Sequence, residues 1–157
     1  MIKKNFLLCL SLLPLPLLAG DPYWQQGKDL REFEIEVYRS ASCGCCKDWI
    51  SHLQAHNFRV LDRVVEDVTP IKQQHAVPQQ GYSCHTALIN GKVIEGHVPA
   101  QAIKAALAQP EIRLLTVPGM VSGSPGMDSP GAPHQAFKVY SVDQQGQVEV
   151  YREYSDY

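Results

Sequence analysis

Residues 32–39, EFEIEVYR, alternate strictly, with Phe33, Ile35 and Val37 on one face and Glu34 and Glu36 on the other. This is the period-2 pattern of a half-buried β-strand. A short turn over residues 40–43 leads into residues 45–56, where Cys46, Trp49, Ile50 and Leu53 recur at helical spacing. The pattern therefore predicts a strand feeding a helix whose N-terminus carries cysteines. Residues 58–65, FRVLDRVV, read as a second strand, and residues 69–75 suit a short helix closed by Val77-Pro78. Residues 85–89 and 92–95 read as two short strands joined at Asn90-Gly91, the strongest local hairpin signal. Residues 99–109 follow as a helix, with Pro99 early, Ile103, Ala106 and Leu107 inward, and Pro110 beyond the end. The predicted order is βαβαββα.

Residues 117–133, VPGMVSGSPGMDSPGAP, are too rich in Pro, Gly and Ser for regular structure, yet Pro-Gly-Met occurs there twice, with thioethers that a plain linker does not need. Residues 137–142 and 148–154 alternate around Gln145-Gly146 and predict a terminal hairpin. At the other end, Lys3 and Lys4 precede an apolar run over residues 6–18 that closes on small residues, the build of a secretory signal. Pro14, Pro16 and the shortness of the run argue against a membrane anchor. Asp21 stands where a lipoprotein would need cysteine. The expected organisation is a signal peptide at 1–20, an extended N-terminal tail at 21–31, a thioredoxin-like α/β domain at 32–112, and a C-terminal extension at 113–157 made of the Pro/Gly/Met loop and a β-hairpin.

The 157 residues are 45% apolar and 19% charged, an ordinary globular balance. Fourteen Lys and Arg against sixteen Asp and Glu give a net charge of −2 with no basic run, so nucleic acid is excluded as a partner. A soluble exported monomer without a stable membrane anchor is expected. Cys9 leaves with the signal, and Cys43, Cys45, Cys46 and Cys84 remain. Three of these lie within four residues, whereas a disulfide framework spreads its cysteines to close long loops. They look like a site.

Cys43-Gly44-Cys45-Cys46 has two readings. As C-x-x-C, Cys43 and Cys46 flank the start of a helix after a strand, where the helix dipole favours thiolates, as in thioredoxins. As C-x-C-C, a third thiolate is added that disulfide exchange does not require, and the cluster suggests metal. Cys84 opens the third strand, where a thioredoxin-like fold places the loop facing the C-x-x-C. That loop reads Ser83-Cys84-His85-Thr86 and offers two more ligands.

Residues 38–49 (YRSASCGCCKDW), 83–87 (SCHTA), 95–99 (EGHVP) and 118–130 (PGMVSGSPGMDSP) resemble, in order and spacing, the CopG-like copper-resistance proteins, long catalogued as a domain of unknown function. The resemblance covers the chain from the first strand to the hairpin. It implies a periplasmic thioredoxin-like domain with a hairpin extension, a cysteine-bridged multinuclear cluster of copper ions, and interconversion of Cu(I) and Cu(II). His75 and Val121 depart from the family pattern, which has Gly and Pro there. Soft thiolates and thioethers favour Cu(I), and imidazole serves both oxidation states, so a Cys, Met and His mixture suits copper. Zinc is the less favoured alternative, because zinc ribbons pair two separate C-x-x-C knuckles and methionine is no use to zinc. C-x-C-C is not an iron–sulfur spacing.

The candidate metal ligands are Cys43, Cys45, Cys46, Cys84, His85, His97, Met120 and Met127. A hairpin folded back over the cysteine face would deliver Met120 or Met127 to the metal. His52 and His56, at i and i+4, lie beyond the cysteine turn and are set aside, with His52 read onto a solvent face. His75 and His134 stay undecided. Three functions remain open: a copper redox protein, a copper store or carrier without turnover, and a thiol–disulfide oxidoreductase using Cys43 and Cys46. Whether the chain is an enzyme is not decided, and other periplasmic copper-handling proteins are the expected macromolecular partners.

Overall fold

The computed structural model describes residues 22–27 and 29–157; the signal read at 1–20 lies outside the described residues. β1 (Phe33–Arg39) and β2 (Phe58–Val64) pair in parallel, joined by α1 (Gly44–Ala55). After α2 (Thr69–Gln74), β3 (Thr86–Ile89) runs antiparallel to β1 and to β4 (Lys92–Glu95). The β3–β4 turn needs two left-handed residues, and Asn90 and Gly91 supply them with φ of 47° and 76°. α3 (Ala100–Ala106) begins after Pro99 and is shorter than its pattern predicts.

β5 (Ile112–Thr116) is a strand that the sequence reading passes over. It pairs in parallel with β4 and antiparallel with β6 (Phe137–Asp143), which pairs with β7 (Val148–Tyr154). The result is a mixed α/β fold on one seven-stranded sheet of order β2-β1-β3-β4-β5-β6-β7. The terminal hairpin therefore extends the sheet at its edge instead of folding over the cysteine face. Strand alternation divides the core between two faces. Ile35, Val37, Ile94 and Leu115 pack with Trp49 and Leu53 of α1 and Ile103 of α3. Val93, Leu114 and Val142 form the smaller opposite cluster with Val77. No helix among the described residues is long and apolar enough to cross a membrane.

Two expectations are corrected. The segment read as an extended tail contains a 3-10 turn, Pro22–Gln25, whose Trp24 is only 1% exposed. Its Nε1–H donates to Gly123 O at 3.0 Å, and Tyr23, Phe137, Tyr154 and Tyr157 surround the indole at ring distances of 4.8–6.0 Å. The aromatic face of the hairpin, distant in sequence, is what draws this segment in. His52 is buried, not solvent-facing. Its Nε2 accepts the Ala100 N–H at 3.0 Å, satisfying one of the free amides in the first turn of α3.

Burial holds His52 well below its ordinary value of 6.5, with the neighbouring His56 acting in the same direction. A neutral folded imidazole opposite an unfolded one that protonates near 6.5 contributes stability in full above that pH and loses it as the pH falls below. The metal-free chain should thus melt at a lower temperature at pH 5 than at pH 8. His52→Gln, which keeps an acceptor but no titration, should narrow that gap. An unchanged gap in the variant would remove His52 from the explanation.

Candidate metal centre

The strand-to-helix junction after β1 places Cys43 at the N-cap of α1 and Cys45 and Cys46 in its first turn. Cys43 and Cys46 are joined in a disulfide with a Cα–Cα distance of 5.3 Å, while Cys45 and Cys84 are free. Cys84, just before β3, faces them: its Sγ lies 3.6 Å from Cys46 Sγ and 3.9 Å from Cys45 Sγ, and Cys45 Sγ is 3.6 Å from Cys43 Sγ. On its other side Cys84 Sγ meets His85 Nδ1 at 3.3 Å and His97 Nε2 at 3.1 Å. Two sets of potential ligands result, Cys43/Cys45/Cys46/Cys84 and Cys84/His85/His97, each with its donor atoms within 4.8 Å of one another. Cys84 belongs to both.

The protonation pattern follows from the contacts. His97 Nδ1–H donates to Pro125 O at 2.8 Å, which leaves the lone pair on Nε2, directed at Cys84. Burial, reinforced by Cys45, pushes the Cys84 thiol up to about 12. At neutral pH Cys84 therefore carries its proton, with the His97 lone pair within its reach. A soft cation that displaces this proton finds both ligands already aligned. Burial likewise holds His85 and His97 below the usual imidazole range, so protons do not compete for them near pH 7. The His85 ring lies tilted against the Trp49 ring at 4.3 Å, and its buried Nε2 has no hydrogen-bond partner among the described residues.

A buried ion pair lies behind the Cys84 loop. Glu95 Oε1 accepts from Lys72 Nζ at 2.5 Å and from Ser83 N–H at 2.6 Å, and Oε2 accepts from Thr86 Oγ1 at 2.7 Å. The residues flanking Cys84 and His85 are thus tied to one carboxylate. Burial pushes the Glu95 carboxyl up and Lys72 pulls it back. The sequence reading singled out neither residue, since a lysine on a polar helix and a glutamate at a strand end give no local sign of pairing. Gly96, at φ +72°, lets the chain cross closely here: a Cβ would sit 2.5 Å from Ser83 Cβ and 2.6 Å from Val117 O.

The Pro/Gly/Met loop returns as a strap. Gly119 N–H donates to Tyr82 O at 3.0 Å, and Ser83 Oγ donates to Gly119 O. Further on, Gly126 (φ +83°) lies flat on α1, where a Cβ would come 2.6 Å from Trp49 N and 2.8 Å from Cys45 O. Pro125 and Gly126 thus reach the site through backbone atoms. Met120 is 61% exposed and Met127 half-buried, both on the strap. Six of the eight predicted ligands are brought together. His134 lies elsewhere, stacked on Tyr157 with Nδ1–H donating to Tyr157 O, and His75 caps the end of α2.

The family described as "Protein of unknown function, DUF411" matches residues 81–127, the stretch from the Cys84 loop to the second Pro-Gly-Met, without the C-x-C-C segment. Two solved structures of copper resistance protein CopG, forms 2 and 1, are similar to this chain at 43% identity. They cover 80% of it and 100% of their own chains, with TM-scores of 0.77 and 0.76. No curated protein matches.

Proposed function

Since the chain belongs to the family of copper resistance protein CopG, we propose that it is a periplasmic copper-binding protein of copper resistance, holding a cysteine-bridged multinuclear copper cluster and interconverting Cu(I) and Cu(II). The observation that carries the reading is the position of Cys84, shared by a four-sulfur set and a Cys–His–His set. A thiolate there could serve the sulfur set and the imidazole set together, and such a mixture of donors would suit copper through a change of oxidation state. Bound copper would supply the one-electron chemistry. The chain's part is to hold imidazoles and thiols together, with Pro125 of the strap fixing the orientation of His97. Met120 and Met127 are the proposed thioether ligands that complete the set, and zinc remains the less favoured occupant. Other periplasmic copper-handling proteins are the proposed exchange partners of the monomer.

The βαβαββα order with β2-β1-β3-β4 adjacency supports a thioredoxin-like reading of residues 32–112, with 113–157 as the extension and β5 as the joint. The same topology, with a disulfide at the start of α1, favours a second reading as a thiol–disulfide oxidoreductase using Cys43 and Cys46. Copper storage without turnover uses the same ligands. Anaerobic titration of the reduced chain separates these. A bridged cluster should saturate above one copper per chain, and Cys45→Ser should lower that stoichiometry. Saturation at a single equivalent with all thiols still reactive would defeat the cluster. Normal copper binding by Cys45→Ser, with disulfide reductase activity intact, would favour exchange. Bound copper that never changes oxidation state would leave a store.

A further inference from the structure

The four cysteines are not equivalent. Cys43 and Cys46 form a disulfide, while Cys45 and Cys84, with sulfurs 3.9 Å apart, stay free beside it. Each member of the bonded pair abuts one free thiol, Cys43 against Cys45 and Cys46 against Cys84, both at 3.6 Å. The Cα–Cα separation of 5.3 Å lies inside the range that a disulfide requires. Beyond the free thiols stand His85 and His97, whose Nδ1 and Nε2 lie 3.3 Å and 3.1 Å from Cys84 Sγ. One site thus contains a two-electron couple, two free thiols in contact with it, and two imidazoles on the far side of Cys84, four donors able to hold copper while the couple is oxidised.

We propose that the Cys43/Cys46 dithiol is a built-in reductant for Cu(II), and that Cys45, Cys84, His85 and His97 are the ligands that hold the copper once those two sulfurs have bonded to each other. The balance closes within the site. The two S–H bonds break and one S–S bond forms. Two protons leave to solvent. Two electrons pass to two Cu(II) ions, which become two Cu(I). The inference deepens the copper reading and rests on it. It adds that the dithiol state sets the capacity of the site, because forming the disulfide withdraws two of the four thiolates from the metal. Cys43 and Cys46 are therefore ligands only in the reduced protein.

The test uses the full chain, reduced, freed of reductant and kept anaerobic, to which Cu(II) chloride is added at two equivalents. Cu(I) is read with a colour-forming Cu(I) chelator, thiols by alkylation after chelation, and the new disulfide by peptide mass mapping. The expected result is two Cu(I) formed for two thiols lost, with the bond mapped to Cys43–Cys46 and with Cys45 and Cys84 both alkylated. The double variant Cys43→Ser/Cys46→Ser should form less than a tenth of that Cu(I). A bond mapped to Cys45 or Cys84, an equal yield of Cu(I) in the double variant, or no Cu(I) in the parent chain would each overturn the proposal. Mapping in the unaltered chain does not depend on the variant folding. Gel filtration after the reaction reads the underlying premise separately: the Cys43–Cys46 bond and Cu(I) formed without retained copper would uphold the electron step and defeat the copper-binding site.

Discussion

Lys72→Met is expected to destabilise the metal-free protein by about 3–5 kcal/mol, the cost of removing one partner from a buried ion pair. Lys72 and Glu95 are 6% and 0% exposed at their side chains, and Glu95 has no solvent to replace the lost cation. Methionine fills the lysine stem's volume, so the loss isolates the charge. The Glu95 carboxylate would keep the Ser83 N–H and Thr86 hydroxyl and either stay ionised at high cost or take up a proton. Adding Glu95→Gln to Lys72→Met removes the stranded charge and should restore part of the stability. Urea unfolding midpoints measure both. A loss below about 1 kcal/mol in Lys72→Met would show the pair to be no stronger than a surface ion pair.

Cys84→Ala should lower copper affinity by more than about a hundredfold, beyond the 10- to 100-fold typical of losing an outer partner of a metal ligand. The four-cysteine set loses one sulfur, and the Cys–His–His set loses its only one. Cys43→Ala, which touches a single set, should cost less. Competition against a Cu(I) chelator of known affinity ranks the two, with circular dichroism confirming the fold. Parent-like affinity in Cys84→Ala would remove the bridging thiol from the account.

What local pattern carries, this chain displays openly. The alternation of EFEIEVYR is β1, Asn90-Gly91 is the hairpin turn, and the cysteines of C-x-C-C sit at the head of α1 as the junction predicts. The site's other half lies in SCHT and EGHVP, which meet because the start of β3 and the end of β4 are opposite one another in the antiparallel hairpin. The misses share one cause, long-range contact. β5, IRLLT, is buried on both faces between β4 and β6, so it shows no alternation to read. Trp24 lacks a periodic neighbour and owes its burial to residues near 154. His52 looked solvent-facing because its true partner, the first amide of α3, is 48 positions away. The Lys72–Glu95 pair spans 23 positions and joins a polar helix to a strand end.

The aromatic cage around Trp24 has a consequence for the order of assembly. Its walls are Tyr154 and Tyr157, while the indole donates to Gly123 and sits near the beginning of the described chain. Contacts of such sequence separation close late and slowly. The central strands can pair as soon as β4 has emerged, but the cage around Trp24 is complete only once β7 and Tyr157 join Phe137 and Gly123. Trp24 therefore reaches its full cover only when the C-terminal residues of the fold are in place. The last strand to be made is the one that seals the first residues of the fold.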